Sequence, residues 1–590
     1  MKKDQLNKKL YQTHLEVTQE WGNTWHTIRD CIHANINKDM ERKYNTIKQK
    51  LEKLEHTQAN TPKHLKTFYP RVINNTNIKF TSDELILLNK GLKYNLSYKN
   101  KNWIKTLTLE TESAITQLPA HEQEYVRTLA AHNLRQLYKW QIDNKQYNSN
   151  QATREHRVLK QIKEKLQSNE AIVSKADKGN SVVILYLQDY HNKVQDFINK
   201  NNFTVLNKDP TQSFQNQVKA TIKSCQSILP KNSITKVTNV NPTAPNIRGL
   251  PKVHKIECLM RPIVNWKGAP AYKLAKYLNK LIQLHIPLPN AFNIKSSTHL
   301  MDDLLDIPHR QGIKFASFDI ENMYPNIPTN ELTPIIRYMS LNNQLDAKTI
   351  DELIKVTHTV LEQNYFTFRN GNYSQTTGLA MGAPSSSILS EIYLQHLEYT
   401  KIVDIITQQN IIRYFRFVDD ILVVYNQNST DIHEVHKALN NLAPTIKFTL
   451  ENEINGCINF VDFTIQNNGN KLLFNIYRKP TATDIIIPKD SCHPPEQKHA
   501  AIRHMVNRMN TYRLDNDNKR TEHQTIEQII TSNGYETSII DQLNKHGHKD
   551  NANNTKHSWA KFTYFSREKG SITKLQGNTG ANNLQGQQHH

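Results

Sequence analysis

The sequence predicts an α+β protein: an antiparallel sheet at the centre, an α-helical N-terminal region and a second helical region near the C-terminus. Three observations predict this. The run Arg413 to Tyr425 places apolar and aromatic residues on both sides of an Asp-Asp pair, the pattern of two short strands joined by a tight turn. From Ile172 onward, strand-like runs mix with helical periodicity, and after Thr483 the period becomes helical again.

Near the N-terminus, Met40, Tyr44, Ile47, Leu51 and Leu54 are spaced 4, 3, 4 and 3, a heptad seam. Two heptads do not fix a partner, so a helical hairpin within the chain and self-association both remain open. Thr81-Ser82-Asp83-Glu84 reads as a capping box that opens a helix through Leu88, and Gly91 closes it. Helices are predicted from Trp103 to about Ile115 and from Glu122 to about Trp140. The next helix carries Arg154, Arg157, Lys160, Lys163 and Lys165, suited either to nucleic acid or to a solvated face. Lys314 to Pro328 reads as a strand running into a turn, and its Pro325-Asn326-Ile327-Pro328 end stops the strand. Thr377 to Pro384 is a glycine-containing loop leading into an apolar helix, with Ser385 or Ser386 as N-cap. Lys498, Arg503, Arg508 and Arg513 recur beside Ile502, Met505, Val506 and Met509, an amphipathic basic helix. Trp559 to Leu575 reads as a short extended element, and residues 577–590 as a disordered polar tail.

Composition narrows the partners. Lys+Arg number 75 and Asp+Glu 54, a net charge of +21. This balance suits a polyanion, whose binding would weaken with salt. Hydrophobic residues make up 37% of 590, and mean hydropathy is −0.67. Such a chain is polar, yet long enough for several cores. The five cysteines are scattered with no Cys-x-x-Cys pair, which argues against a zinc knuckle and fits a reducing interior. The polar N-terminus does not read as a signal peptide, and no apolar run reaches membrane-spanning length, so no membrane partner is expected.

The chemistry points to the acidic hairpin. Asp tolerates a strained two-residue turn, so Asp419-Asp420 is expected at the tip. Carboxylates this close repel, and a divalent cation is the best neutraliser. An exposed acidic turn is the plain alternative. Asp319, at the end of its predicted strand, favours the first reading. Three carboxylates on neighbouring strands can hold two Mg²⁺ ions about 3.5–4 Å apart for phosphoryl transfer. In the intervening loop, glycines let backbone approach a flat ligand, and the helix start favours phosphate.

Strand with Asp, glycine loop and helix, then the Phe417-Val418-Asp419-Asp420 hairpin: this order resembles the palm of a reverse transcriptase. Further segments resemble the Penelope-like retroelement family more narrowly. Upstream these are Ala176-Asp177-Lys178-Gly179-Asn180, Gly249-Leu250-Pro251-Lys252-Val253-His254-Lys255 and Arg261-Pro262-Ile263-Val264. Downstream they are Ile458 to Phe463, Tyr477-Arg478-Lys479-Pro480-Thr481-Ala482-Thr483-Asp484 and Ser491 to Pro495. The resemblance spans about residues 65–575.

The resemblance implies a right-hand polymerase with fingers, palm and thumb, acting as an RNA-directed DNA polymerase. Asp319, Asp419 and Asp420 match its catalytic, metal-binding aspartates, with Mg²⁺ or Mn²⁺ as cofactor. Tyr324 matches the aromatic gate that rejects a ribose 2′-OH. Lys252 and Arg261 match basic residues that grip the incoming triphosphate. Met381-Gly382 falls where many relatives have Gln-Gly, so the contact there becomes apolar. The expected divisions are 1–165 (helical and basic), 166–310 (fingers and the start of the core), 311–480 (palm), 481–576 (helical thumb) and 577–590 (tail). RNA template, DNA primer and dNTPs are the implied partners, and the nucleus the implied location. Many family members continue into a GIY-YIG nuclease, and no such pattern is present, so a nuclease-lacking or truncated member is expected. A catalytically silent RNA-binding relative and a DNA-templated polymerase on the same palm are the alternatives.

Overall fold

The computed structural model describes residues 68–96, 103–143 and 149–546, apart from 202, 230–233, 256–257, 309–310 and 470, together with 559–560 and 585–586. The heptad seam from Met40 to Leu54, and with it the self-association it suggested, lies outside the described residues.

A four-stranded antiparallel sheet forms the centre. Its strands lie in the order Arg413–Phe417, Asp420–Asn426, Ile313–Ile320, Phe448–Asn452. Side chains alternate between the faces of a strand, and each face here has its own core. Phe318, Ile320, Ile421 and Val423 enter a large apolar cluster that also contains Leu278, Ile336, Leu353 and Ile392. These last residues come from the helices Tyr272–His285, Thr329–Asn342, Ala347–Leu361 and Ser386–Leu397. Phe315, Leu422 and Val424 enter a second cluster with Leu300, Leu304, Phe460, Phe463 and Phe474. A three-stranded antiparallel sheet, Cys457–Phe460, Phe463–Asn467 and Leu472–Ile476, supplies the phenylalanines of this second layer. Two buried faces explain why these strands read as near-continuous apolar runs.

Two further sheets lie earlier in the chain. A five-stranded sheet runs Thr204–Leu206, Gly371–Ser374, Tyr365–Phe368, Asn246–Pro251, Met260–Asn265. A three-stranded sheet runs Val72–Asn74, Val182–Tyr186, Ala171–Lys175. The predicted capping box is present: Thr81 Oγ1 accepts from the Glu84 amide, Glu84 Oε2 accepts from the Thr81 amide, and the helix runs Ser82–Asn89. The helices predicted near 103–115 and 122–140 form as Trp103–Ile115 and Ala120–Asp143.

The basic helix Ser149–Ser168 spends part of its charge internally. Arg154 pairs with Asp83 at 2.8 Å and Lys165 with the buried Glu84 at 2.6 Å. Three helices, Pro495–Thr511, Asn516–Ser532 and Ser538–His546, pack around Ile502, Val506, Ile526, Ile530 and Ile540. Of the basic residues of the predicted amphipathic helix, Arg508 donates to the Asp462 carbonyl at 2.9 Å, and Arg513, just past the helix end, pairs with Asp302 at 2.8 Å. They tie this helical group to the neighbouring layers instead of standing free. The pair Trp559–Ala560 bridges in parallel to Gln585–Gly586, and the rest of the expected tail lies outside the described residues.

Leu422 is fully buried between the central sheet and the phenylalanine layer. Leu422→Ala should destabilise this unit by about 3 kcal/mol, read as a lower denaturant midpoint.

Candidate active site

The central sheet dictates where the aspartates go. Asp319 sits directly opposite Asp420 on the adjacent antiparallel strand. Directly paired residues project to one face with Cβ atoms about 4.5–5.5 Å apart. By alternation that face is the one carrying Phe315, Leu422 and Val424, so the two carboxylates stand where its apolar stripe ends. Asp419 joins them through the turn, and its carbonyl accepts from the Ile320 amide at 3.2 Å.

The turn differs from expectation by one residue. Phe417 pairs with Asp420, so the two-residue turn is Val418-Asp419 and Asp420 already belongs to the strand. The left-handed position falls to Val418, with φ of 59°. A β-branched residue there is an outlier, costly unless its surroundings impose it. Backbone preference alone would give the strained place to an aspartate. The strand register puts valine there, because Asp420 is needed opposite Asp319.

Tyr324 lies in the single turn Met323–Asn326, entered through Asn322 in the left-handed region. It is partly buried, and loss of water followed by the charge of Asp419 raises its pKa. The glycine loop packs against this turn. The Leu379 amide donates to Tyr324 O at 2.8 Å, and a Cβ on Gly378 would lie 2.1 Å from Pro325 O. A Cβ on Gly382 would lie 2.1 Å from Val264 O, so the loop also presses on the strand that begins at Met260. Met381 packs on the main apolar cluster, the apolar contact expected of it. Ser385 occupies the N-cap position without a capping bond, because its backbone is already helical. Ser386 Oγ instead donates to Ala380 O at 2.6 Å, closing the loop on itself.

The basic residues come from three distant segments. Lys252 and Arg261 lie on one hairpin: Arg261 pairs with Leu250 across the strands, and the Lys252 amide donates to Leu259 O at 2.7 Å. Arg261 is about half exposed, and its Nε meets Oδ1 of the buried Asp177 at 2.8 Å. Lys178 and Lys479, in motifs noted from the sequence but given no role there, also reach the site. Both act electrostatically on Asp319 and Asp420, lowering their pKa values. Burial lowers the pKa of Lys178, with Lys479 and Arg261 adding to the effect. The turn at Gly179 is pressed onto the Lys479 segment, since a Cβ there would lie 2.2 Å from Thr481 O. Nothing local in the sequence signals this convergence, because residues 178, 261, 319 and 479 meet only through the fold.

The electrostatics of the acidic group stem from its crowding. Loss of water, then Asp419 and Asp319, push the Asp420 carboxyl up to about 6. Loss of water and Asp419 also raise Asp319. Among the described residues, no three His, Cys, Asp or Glu side chains are gathered into a ready cage for an ion. The donor set nevertheless fits Mg²⁺, which takes one or two carboxylates from protein and its remaining oxygens from water and phosphates. Clustered carboxylates that resist ionisation are what such a cation relieves.

Residues 263–453 match the family model "Reverse transcriptase (RNA-dependent DNA polymerase)". The central sheet with all three aspartates lies inside that match. The fold is that of a right-hand polymerase. The match supports a template-directed nucleotidyltransferase. Residues 485–545, covering the three C-terminal helices, match the animal helix-turn-helix domain. Among solved structures, the chain is similar to telomerase from Candida albicans in complex with a TWJ fragment of telomeric RNA (11% identity, 73% of each chain, TM-score 0.43). It is also similar to apo telomerase from Candida tropicalis (10% identity, 81% of this chain and 85% of that one, TM-score 0.41). A third is the Sicinivirus 3Dpol RNA-dependent RNA polymerase (12% identity, 58% and 73%, TM-score 0.36). None of the curated proteins compared with the chain matches it.

The raised Asp420 carboxyl has a thermodynamic consequence. Its folded-state pKa lies above that of the unfolded chain, so the fold holds this proton more tightly. Stability of the divalent-free protein should therefore fall as pH rises from about 4 through about 6. Asp420→Asn removes that charge. In EDTA at pH 7.5 it should stabilise the protein, by on the order of 1 kcal/mol after allowance for solvent screening. Thermal melts of both proteins across this pH range check the sign.

Proposed function

We propose that this chain is an RNA-directed DNA polymerase of the Penelope-like retroelement type, extending a DNA primer 3′ end on an RNA template. The observation that carries the reading is Asp319 facing Asp420 across two strands, with Asp419 on the adjoining turn, inside the segment that matches the reverse transcriptase model. In this reading residues 166–310 serve as fingers, 311–480 as palm and 481–576 as thumb. The helix-turn-helix match falls within the thumb.

Asp319, Asp419 and Asp420 would hold Mg²⁺ or Mn²⁺. A bound pair of such ions activates an attacking oxygen and stabilises a leaving phosphate oxygen. The chain's other residues bind and orient. Arg261 offers a planar fork suited to phosphate, and Lys252 a mobile point charge. Lys178 and Lys479 add positive charge close enough to act on Asp319 and Asp420, and would help to hold a triphosphate there. Tyr324, close enough to Asp419 to feel its charge, would supply the ring with which a ribose 2′-OH collides. The primer 3′-oxygen bonds to the α-phosphorus of the dNTP, and pyrophosphate leaves. Catalysis then consists mainly of positioning and charge stabilisation.

Primer extension on an RNA template decides between this and a binding-only role. Wild-type protein should incorporate dNTPs, and more with an RNA template than with a DNA template or none. Asp319→Asn and Asp419→Asn should each lose about 1000-fold in rate, equivalent to about 4 kcal/mol. Undiminished incorporation by either variant would remove the assignment. Tyr324→Ala should admit ribonucleotides that the wild type rejects, measured as the ratio of rNTP to dNTP incorporation.

A further inference from the structure

The strained turn that carries Asp419 is exposed: Val418 is 38% accessible, so packing alone does not impose its left-handed backbone. One side chain does reach it. Arg416 Nη1 donates to Val418 O at 3.0 Å. That arginine is 1% exposed, on a strand face otherwise lined by Tyr414.

The guanidinium is held from two sides. Nη1 and Nη2 donate to Glu391 Oε1 and Oε2 at 2.9 and 3.0 Å. Nε and Nη2 donate to Glu398 Oε1 and Oε2 at 2.5 and 3.2 Å. The two glutamates lie seven residues apart, hence on one face of a helical rod and roughly 10 Å apart along it. Glu398 opens a π-helical turn, Glu398–Ile402, a rare form often found at functional sites. The backbone of Arg416 is clamped as well. Its amide donates to Phe292 O at 2.9 Å, and its carbonyl accepts from the Ile294 amide at 3.0 Å. Asn293 Nδ2 and Gln395 Nε2 both donate to Glu391 Oε2 at 3.0 Å, fixing that carboxylate in turn.

A buried ion triad is a poor stabiliser, since well-packed apolar residues of similar volume often do as well or better. Its value here lies in direction: a rigid fork aimed at one carbonyl. We propose that Arg416, gripped by Glu391 and Glu398, is a positioning residue that fixes the Val418-Asp419 turn and thereby the orientation of the Asp419 carboxylate. The role deepens the polymerase reading and rests on it.

Two variants test the role. Val418→Gly relieves the left-handed strain without touching the triad. The combined variant Arg416→Met, Glu391→Leu, Glu398→Leu replaces the triad with apolar bulk. Each is measured on poly(rA) primed with oligo(dT). The readouts are dTTP incorporation rate, duplex affinity, melting temperature, and Mn²⁺ affinity of the complex with a dideoxy-terminated primer and dTTP. Val418→Gly should melt at or above the wild-type temperature and bind duplex normally, so it reports the backbone strain alone. The combined variant should incorporate roughly 10-fold more slowly and bind Mn²⁺ several-fold more weakly; if it does not fold, Arg416→Lys, which keeps the charge but loses the planar fork that reaches both glutamates and the Val418 carbonyl, is measured in its place with the same expectation. Wild-type rate and wild-type Mn²⁺ affinity in whichever of these two variants folds would overturn the role and leave the triad a scaffold. Should the wild type incorporate nothing on any template, the polymerase reading fails, and the Mn²⁺ comparison still decides the turn.

Discussion

Like charges placed directly across a strand pair repel, and the register of the central sheet forces Asp319 and Asp420 into that arrangement. The surrounding structure makes this tolerable. The strands must be anchored strongly elsewhere, and they are, by apolar side chains on both faces below the charged end. Slipping the hairpin by one residue would separate the carboxylates, but it would also turn Leu422 and Val424 out of one core and Ile421 and Val423 out of the other. The hydrophobic pattern thus enforces an electrostatic arrangement that the carboxylates alone would avoid.

Positive charge completes the balance from outside the sheet. Lys178 and Lys479 act on the same two aspartates, and Arg261 stands beside Lys178 while bound to Asp177. These residues lie on loops or at a strand start, fixed by close backbone contacts such as that between Gly179 and Thr481. Opposite charges are therefore close enough to act on one another, on backbone anchored by such contacts.

Much of this was legible in the sequence, and the reasons differ by element. The Asp-Asp hairpin and the Asp319 strand were readable because both are near-continuous runs of apolar and aromatic residues that meet turn residues. The capping box at Thr81 to Glu84 was readable because its signal is local, and it forms as expected. The exact turn was not readable: Val418 rather than an aspartate takes the left-handed position, since register over several residue pairs outweighs one residue's backbone preference. Arg416 was visible only as a charge in a greasy strand. Its two partners lie 25 and 18 residues before it, on a helix whose apolar period gave no hint that its glutamates faced inward. Arg508 and Arg513 read as part of an amphipathic basic helix; Arg508 is a partly buried tie to Asp462 and Arg513 an exposed one to Asp302, partners that lie in other layers and far away in the sequence.

The contrast between the two kinds of charged group points to a general feature of this fold. Arg416 with its glutamates is enclosed, paired and oriented, whereas the aspartates stand at the end of the sheet with no arginine paired to them among the described residues. Burying the first makes geometry rigid; exposing the second keeps charge available for an incoming ligand. Had the positions been exchanged, the carboxylates would have been neutralised by the protein itself and the guanidinium would have been free to move. Separation of these tasks along one strand, three residues apart between Arg416 and Asp419, is achieved by alternation and then a turn. The strand sends Arg416 inward, and the turn then brings Asp419 to the end of the sheet beside Asp420 and Asp319.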